Sequence, residues 1–289
     1  MAFIPIIAGL SAAFFWGLSD YLVSKPVRAL GYYNTIAYSM FFSALTILPF
    51  LLVAGTGSGI NGFVIFLAVL SAIGFFIGQL FLYRAFKHGN LSIVAPIAYS
   101  YPLITVIVAV LAFGDVLNLI QEVSIAAILV GIILTSTKFS KLKKGRTVLA
   151  AGVGSAIISM VMFAAPGIYS GPYAAILGFA LLSMIWRVIA SAGGFITGHM
   201  AKQNMAIPGK SFIAYVAGAG ITDAFATLSF AYGVQVQSAA LPIVSALSGM
   251  ATLFLIVLAV ILLKERPELN QWAGILLAIS GVITLSYFM

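Results

Sequence analysis

The sequence of 289 residues contains no cysteine. Disulfides, thiolate metal sites and cysteine nucleophiles are thereby excluded. Histidine is almost as scarce. His88 and His199 stand far apart, with no HxxxH or HExxH spacing, so no metal site is expected and no cofactor is implied. No Walker-type phosphate loop occurs, which removes ATP as an energy source. Charge is sparse too: 7% of residues are Asp, Glu, Lys or Arg, against about a quarter in ordinary soluble domains. The paired mid-membrane aspartates of an intramembrane protease are not found, since Asp223 alone has that placement. No catalytic constellation is left, so the chain is not expected to be an enzyme.

What is abundant is apolar. Hydrophobic residues make up 63% of the chain, and the mean hydropathy is +1.18. No water-soluble fold hides that much apolar surface behind so few charges, so the bilayer is the natural solvent. A spanning helix needs about 20 apolar residues. Hydrophobic runs and breakers predict an all-α membrane protein of ten transmembrane helices, near 3–24, 33–54, 62–86, 91–113, 119–137, 147–165, 173–198, 211–234, 238–263 and 269–288. Lys25-Pro26 and residues 28–31 are expected to close the first span. Pro166-Gly167 and Gly171-Pro172 are expected to bracket a loop. Residues 1–24 lack a basic leader and read as a span, not a cleaved signal. Ten spans leave no room for an extramembrane domain.

The net charge of +8 does not indicate nucleic acid, because no soluble basic face exists to carry it. Every Lys and Arg except Arg187 falls at a boundary between spans 1 and 2, 3 and 4, 5 and 6, 7 and 8, or 9 and 10. The opposite loops carry none. The positive-inside rule makes the basic face cytoplasmic and both termini external. The expected setting is a prokaryotic cell (inner) membrane, crossed many times.

The chain also repeats. Residues 113–136 align without gaps on 263–286, with Leu119/Leu269, Gln121/Gln271, Ile125/Ile275, Gly131/Gly281 and Ile133/Ile283 identical. Gly74, Ile77, Phe81, Phe86 and Gly89 recur 144 residues later at Gly218, Ile221, Phe225, Phe230 and Gly233. Each half, 1–144 and 145–289, then holds five spans. An odd number inverts the second half in the bilayer. Two inverted five-helix repeats around a central site are a recurrent design of secondary transporters.

The run from Leu263 to Gly274, LKERPELNQWAG, followed by Gly281-Val282, resembles the end of an EamA repeat, from the drug/metabolite transporter superfamily. Trp16-Gly17 resembles the early Trp-Gly of that family, and Pro102 its mid-helix proline. Met160-Val161 stands where a second Trp-Gly is expected, and no basic residue lies between spans 2 and 3. The resemblance implies membrane transport by a ten-helix fold.

Charges inside a span are costly and mark function or pairing. Arg187 and Asp223 lie at nearly equal depth in spans 7 and 8. They can form a buried ion pair; alternatively Arg187 recognises a substrate carboxylate, or Asp223 is a proton site that couples transport. Ser183, Arg187 and Ser191 form a polar stripe at helical spacing that should face the bundle interior. Repeat symmetry sets Gln79 against Asp223 near mid-membrane. Trp16, Tyr99, Tyr101 and Trp186 supply apolar faces, and Ser245 and Ser248 are their polar counterparts in span 9. Asp20 reads as a partner of Lys25 or Arg84. Pro102 and Pro242 are expected hinges.

These residues predict a secondary transporter that moves a small metabolite by alternating access through a central cavity. The first choice of solute is an amino acid or a similar amphipathic molecule. The alternatives are a passive channel or facilitator, and a carrier of cationic drugs or nucleotide sugars on the same fold.

Overall fold

The computed structural model describes residues 3–55, 57–89, 91–136, 152–263 and 268–287. Among them there are twelve α-helices, one 3₁₀ turn and no strand. The helices are α1 (Phe3–Leu30), α2 (Tyr32–Ala54), α3 (Gly62–His88), α4 (Leu91–Ala98), α5 (Tyr101–Phe113) and α6 (Leu119–Ser136). They continue as α7 (Val153–Leu177), α8 (Phe179–Met200), α9 (Lys210–Val236), α10 (Leu241–Ser248), α11 (Ala251–Leu263) and α12 (Leu269–Tyr287). By length and hydropathy, seven helical segments can cross a membrane, and three shorter ones are also apolar. The boundary expected at 144/145, the basic run 138–146 and the motif residues 264–267 lie outside the described residues.

Prolines punctuate this chain less than the sequence suggests. Helix α1 continues through Pro26, and the break falls at Gly31, whose φ of 88° suits a residue without Cβ. Helix α7 runs unbroken through Pro166 and Pro172, so the loop expected at 166–172 is helical. Ser170 Oγ donates to Pro166 O at 2.7 Å within this continuous helix. The true break is Gly178, which ends α7 and starts α8.

Two expected spans are each divided in two. Span 4 breaks at Tyr99-Ser100 between α4 and α5, and span 9 breaks at Gly249-Met250 between α10 and α11. Pro102 and Pro242 are not kinks inside continuous helices. Each sits in the first turn of its helix, where a missing N–H costs nothing. The two breaks touch. A Cβ built on Gly249 would lie 3.0 Å from Pro102 Cγ and 3.2 Å from Tyr99 O.

The packing has a two-fold pattern. Helix α1 packs on α9 as α7 packs on α3, while α2 meets α8, α5 meets α10 and α6 meets α12. The last pair shows the relation in atoms. A Cβ on Gly131 would lie 2.7 Å from Gly274 O and 2.8 Å from Ala278 Cβ; one on Gly281 would lie 2.8 Å from Ser124 O and 2.9 Å from Ile128 Cγ1. Each contact is the other shifted by 150 residues. Residue numbers rise on one helix as they fall on the other, so the pair is antiparallel.

The connections gather at two ends. At one end residues 30–34, 87–88 and 203 surround a common pocket, and Gly152 abuts Gly89. This is the basic end, where Lys87 Nζ stands 5.5 Å over the Tyr32 ring. At the other end Gly57 abuts Ala175 and Ile176, and Phe179 N–H donates to Gln235 Oε1 at 2.6 Å. Large apolar side chains such as Leu52, Val53, Phe63 and Leu111 are exposed. On helices of this composition they form a lipid-facing surface, and small residues mediate the contacts inside.

Candidate substrate site

Helices α1, α3, α7, α8 and α9 and the α4–α5 break enclose a cavity in the middle of the bundle. It leaves about 50 Å³ to the centres of water molecules, which at roughly 10–15 Å³ each is room for a few waters. Its floor is an ion pair. Arg187 Nε donates to Asp223 Oδ2 at 2.5 Å and Nη2 to Oδ1 at 3.0 Å. The same carboxylate accepts from Ser43 Oγ at 2.8 Å and from Trp16 Nε1 at 3.3 Å. Four donors saturate Asp223, since a carboxylate offers about four lone-pair positions.

Arg187 is fully buried. Its Nη2 also donates to Thr227 Oγ1, and its guanidinium lies 4.2 Å from the centroid of the Phe75 ring. That cation–π contact offsets part of the desolvation. Among the described residues Nη1 has no hydrogen-bond partner. The stripe on α8 faces inward as expected: Ser183 and Ser191 are buried, and Ser191 Oγ donates to Ala37 O at 2.9 Å.

Of the residues singled out from the sequence, Trp16, Gln79, Tyr99, Tyr101, Trp186, Arg187 and Asp223 all line this cavity. Trp186 is fixed by its Nε1–H donating to Ser71 Oγ at 2.9 Å and by stacking on Phe75. Ser245 and Ser248 do not line it. Ser248 is bonded to the Tyr101 hydroxyl at 2.6 Å and donates to Ser245 O, so it orients the tyrosine. Ser245 is buried, and its hydroxyl has no partner among the described residues.

Asp20 also departs from expectation. It bonds neither Lys25 nor Arg84. It lines the cavity and accepts from the Tyr99 hydroxyl at 2.5 Å. The bond ties α1 to the α4–α5 break. Phe75, Phe163 and Phe230 complete the aromatic wall and were not read as site residues from the sequence. In a chain with 22 phenylalanines no periodic signal separates these three. Asp115 lies apart, in the turn after α5, where partial burial pushes its carboxyl above the ordinary range.

The sequence model of the EamA-like transporter family matches residues 3–137 and again residues 149–287. The chain belongs to that family. It is thus a multi-pass integral membrane protein of a transporter family, built as two EamA repeats, within the drug/metabolite transporter superfamily. An uncharacterized protein of Methanocaldococcus jannaschii is 42% identical over 69 residues, which are 24% of this chain and 50% of that one. The chain thus spans half the length of that relative. A crystal structure 15% identical to it, with a TM-score of 0.77 over 99% of both chains, has the same fold.

The EamA motif residues do local work. Asn118 N–H donates to Gln121 Oε1 at 3.0 Å and Gln121 N–H to Asn118 Oδ1 at 2.9 Å, a reciprocal capping box at the start of α6. In the second repeat Glu268 N–H donates to Gln271 Oε1 at 2.9 Å, capping α12 in the same way. Gly274 and Gly281 face α6. The motif thus builds the α6–α12 pair, and none of these residues lines the cavity.

Proposed function

We propose that this EamA chain is a ten-span secondary transporter that moves a small amphipathic solute, an amino acid with an apolar or aromatic side chain, by alternating access. The observation that carries the reading is Nη1 of Arg187, buried without a partner among the described residues, on a side chain that lines a cavity walled by aromatic rings. An unsatisfied buried donor on a cation is expensive, and a carboxylate entering the cavity would satisfy it. Trp16, Tyr101 and Trp186 offer the apolar surface for the rest of the solute, and Gln79 a neutral polar contact.

The seven long and three shorter apolar helices support ten spans. The reciprocal, antiparallel α6–α12 contacts support two inverted repeats, 1–144 and 145–289, and with them alternating access. The touching breaks of spans 4 and 9 are the hinge, with Tyr99-Ser100-Tyr101-Pro102 on one side and Gly249 on the other. Asp223 is the fixed counter-ion of Arg187, and any proton coupling passes through disruption of that pair. The basic end faces the cytoplasm.

Counterflow in proteoliposomes tests the proposal. Vesicles loaded with unlabelled phenylalanine should accumulate labelled phenylalanine transiently and saturably, and Arg187→Gln should abolish this in protein that remains folded. Wild-type flux in a folded Arg187→Gln protein refutes the carboxylate role. Absence of counterflow for every amino acid tried refutes the substrate class.

A further inference from the structure

The cavity holds two carboxyl groups, Asp20 and Asp223, and one guanidinium. Asp223 engages that guanidinium through Nε and Nη2. Its four acceptor positions are taken by Arg187, Ser43 and Trp16, so it has nothing left to offer a ligand. Asp20 is different. It is as buried as Asp223, yet its one hydrogen bond among the described residues comes from Tyr99 to Oδ2. Among the described residues Oδ1 has no donor. The described residues therefore leave two open valences on side chains that line one cavity: a buried donor at Arg187 Nη1 and an acceptor at Asp20 Oδ1. A lone carboxylate stays ionised in a low-dielectric site only with a cationic or donor partner, and otherwise takes up a proton. Sites of this kind orient ligands by a few placed polar groups against an apolar wall.

We infer that Asp20 is the seat of the substrate's ammonium group, so that Arg187 and Asp20 together select solutes carrying both a carboxylate and an amine. This rests on the amino-acid reading above and extends it by assigning the amine to α1. It also gives Tyr99 a second role. An ammonium at Asp20 competes with the Tyr99 hydroxyl, and Tyr99 is the first residue of the α4–α5 break. Occupancy of the site then loosens the bond that ties the hinge to α1.

Binding to detergent-purified protein separates the two claims. The probes are phenylalanine, phenethylamine, which lacks the carboxylate, and 3-phenylpropionate, which lacks the amine. Asp20→Asn, whose amide oxygen still accepts from Tyr99, should weaken phenylalanine and phenethylamine at least tenfold and leave 3-phenylpropionate within twofold. Tyr99→Phe should tighten phenethylamine by freeing the carboxyl. The inference is overturned if wild type does not bind phenethylamine, if Asp20→Asn binds it as well as wild type does, or if Tyr99→Phe loses it. The last measurement decides the matter even if Asp20→Asn does not fold. Phenethylamine binding lost in Asp20→Asn, with no phenylalanine counterflow in wild type, would uphold the ammonium seat and sink the transport reading alone.

Discussion

Removing both members of the Arg187–Asp223 pair should cost no more than removing either one alone. In Arg187→Met, Asp223 keeps the Ser43 and Trp16 bonds but loses its cation and two of four donors. In Asp223→Asn, a fully buried guanidinium keeps Thr227 and the Phe75 face but has no counter-charge. Breaking a buried pair from one side costs about 3–5 kcal/mol. At 1.4 kcal/mol per tenfold, that is a loss of roughly a hundredfold or more in the folded-to-unfolded ratio. Independent sites would add to about 6–10 kcal/mol. The double variant Arg187→Met/Asp223→Asn removes both charges and keeps an amide for Ser43 and Trp16. Its cost should lie near or below that of one single, a coupling of about 3 kcal/mol. The readout is the folded fraction in dodecyl maltoside micelles titrated with SDS, followed by tryptophan fluorescence; Trp16 and Trp186 both report on the cavity. Additive costs, with the double variant as unstable as the sum of the singles, would show that the two groups are not each other's counter-ion.

Three other outcomes are expected. With no native cysteine, Val116→Cys at the non-basic end should react with an impermeant maleimide on intact cells while Gln203→Cys is protected; the reverse pattern would invert the topology. Pro102→Ala, which restores a donor just past the break, should slow counterflow severalfold with near-normal phenylalanine binding, and unchanged flux would leave that proline as packing; Gly249→Val, crowding Pro102 and Tyr99 from the facing break, should slow it further. Gly281→Leu should destabilise the fold by about 1–3 kcal/mol, because even a methyl group would meet Ser124 O at 2.8 Å; wild-type stability in the same SDS titration would mean that α6 and α12 do not pack this closely.

Class, inward-facing stripe and ion pair were legible because each follows from a constraint acting at one position. Lipid penalises charge, so a lone Arg and a lone Asp at matching depth stand out in the sequence, and burial leaves them little choice but to face inward. The failures share a different cause. A proline says that one N–H is missing, but not whether the neighbours repair the loss. In α7 the helix carries Pro166 and Pro172 without a loop, while spans 4 and 9 break at Tyr99-Ser100 and Gly249-Met250, one turn or less before Pro102 and well after Pro242. The two breaks touch each other, a long-range relation that local sequence does not reveal. Asp20 was misplaced for the same reason. Its sequence neighbours include Lys25, so local spacing favoured a surface pair. Yet its partner Tyr99 is 79 residues away on another helix, and only the crossing of α1 with the broken span brings a second acid into the cavity beside one already saturated.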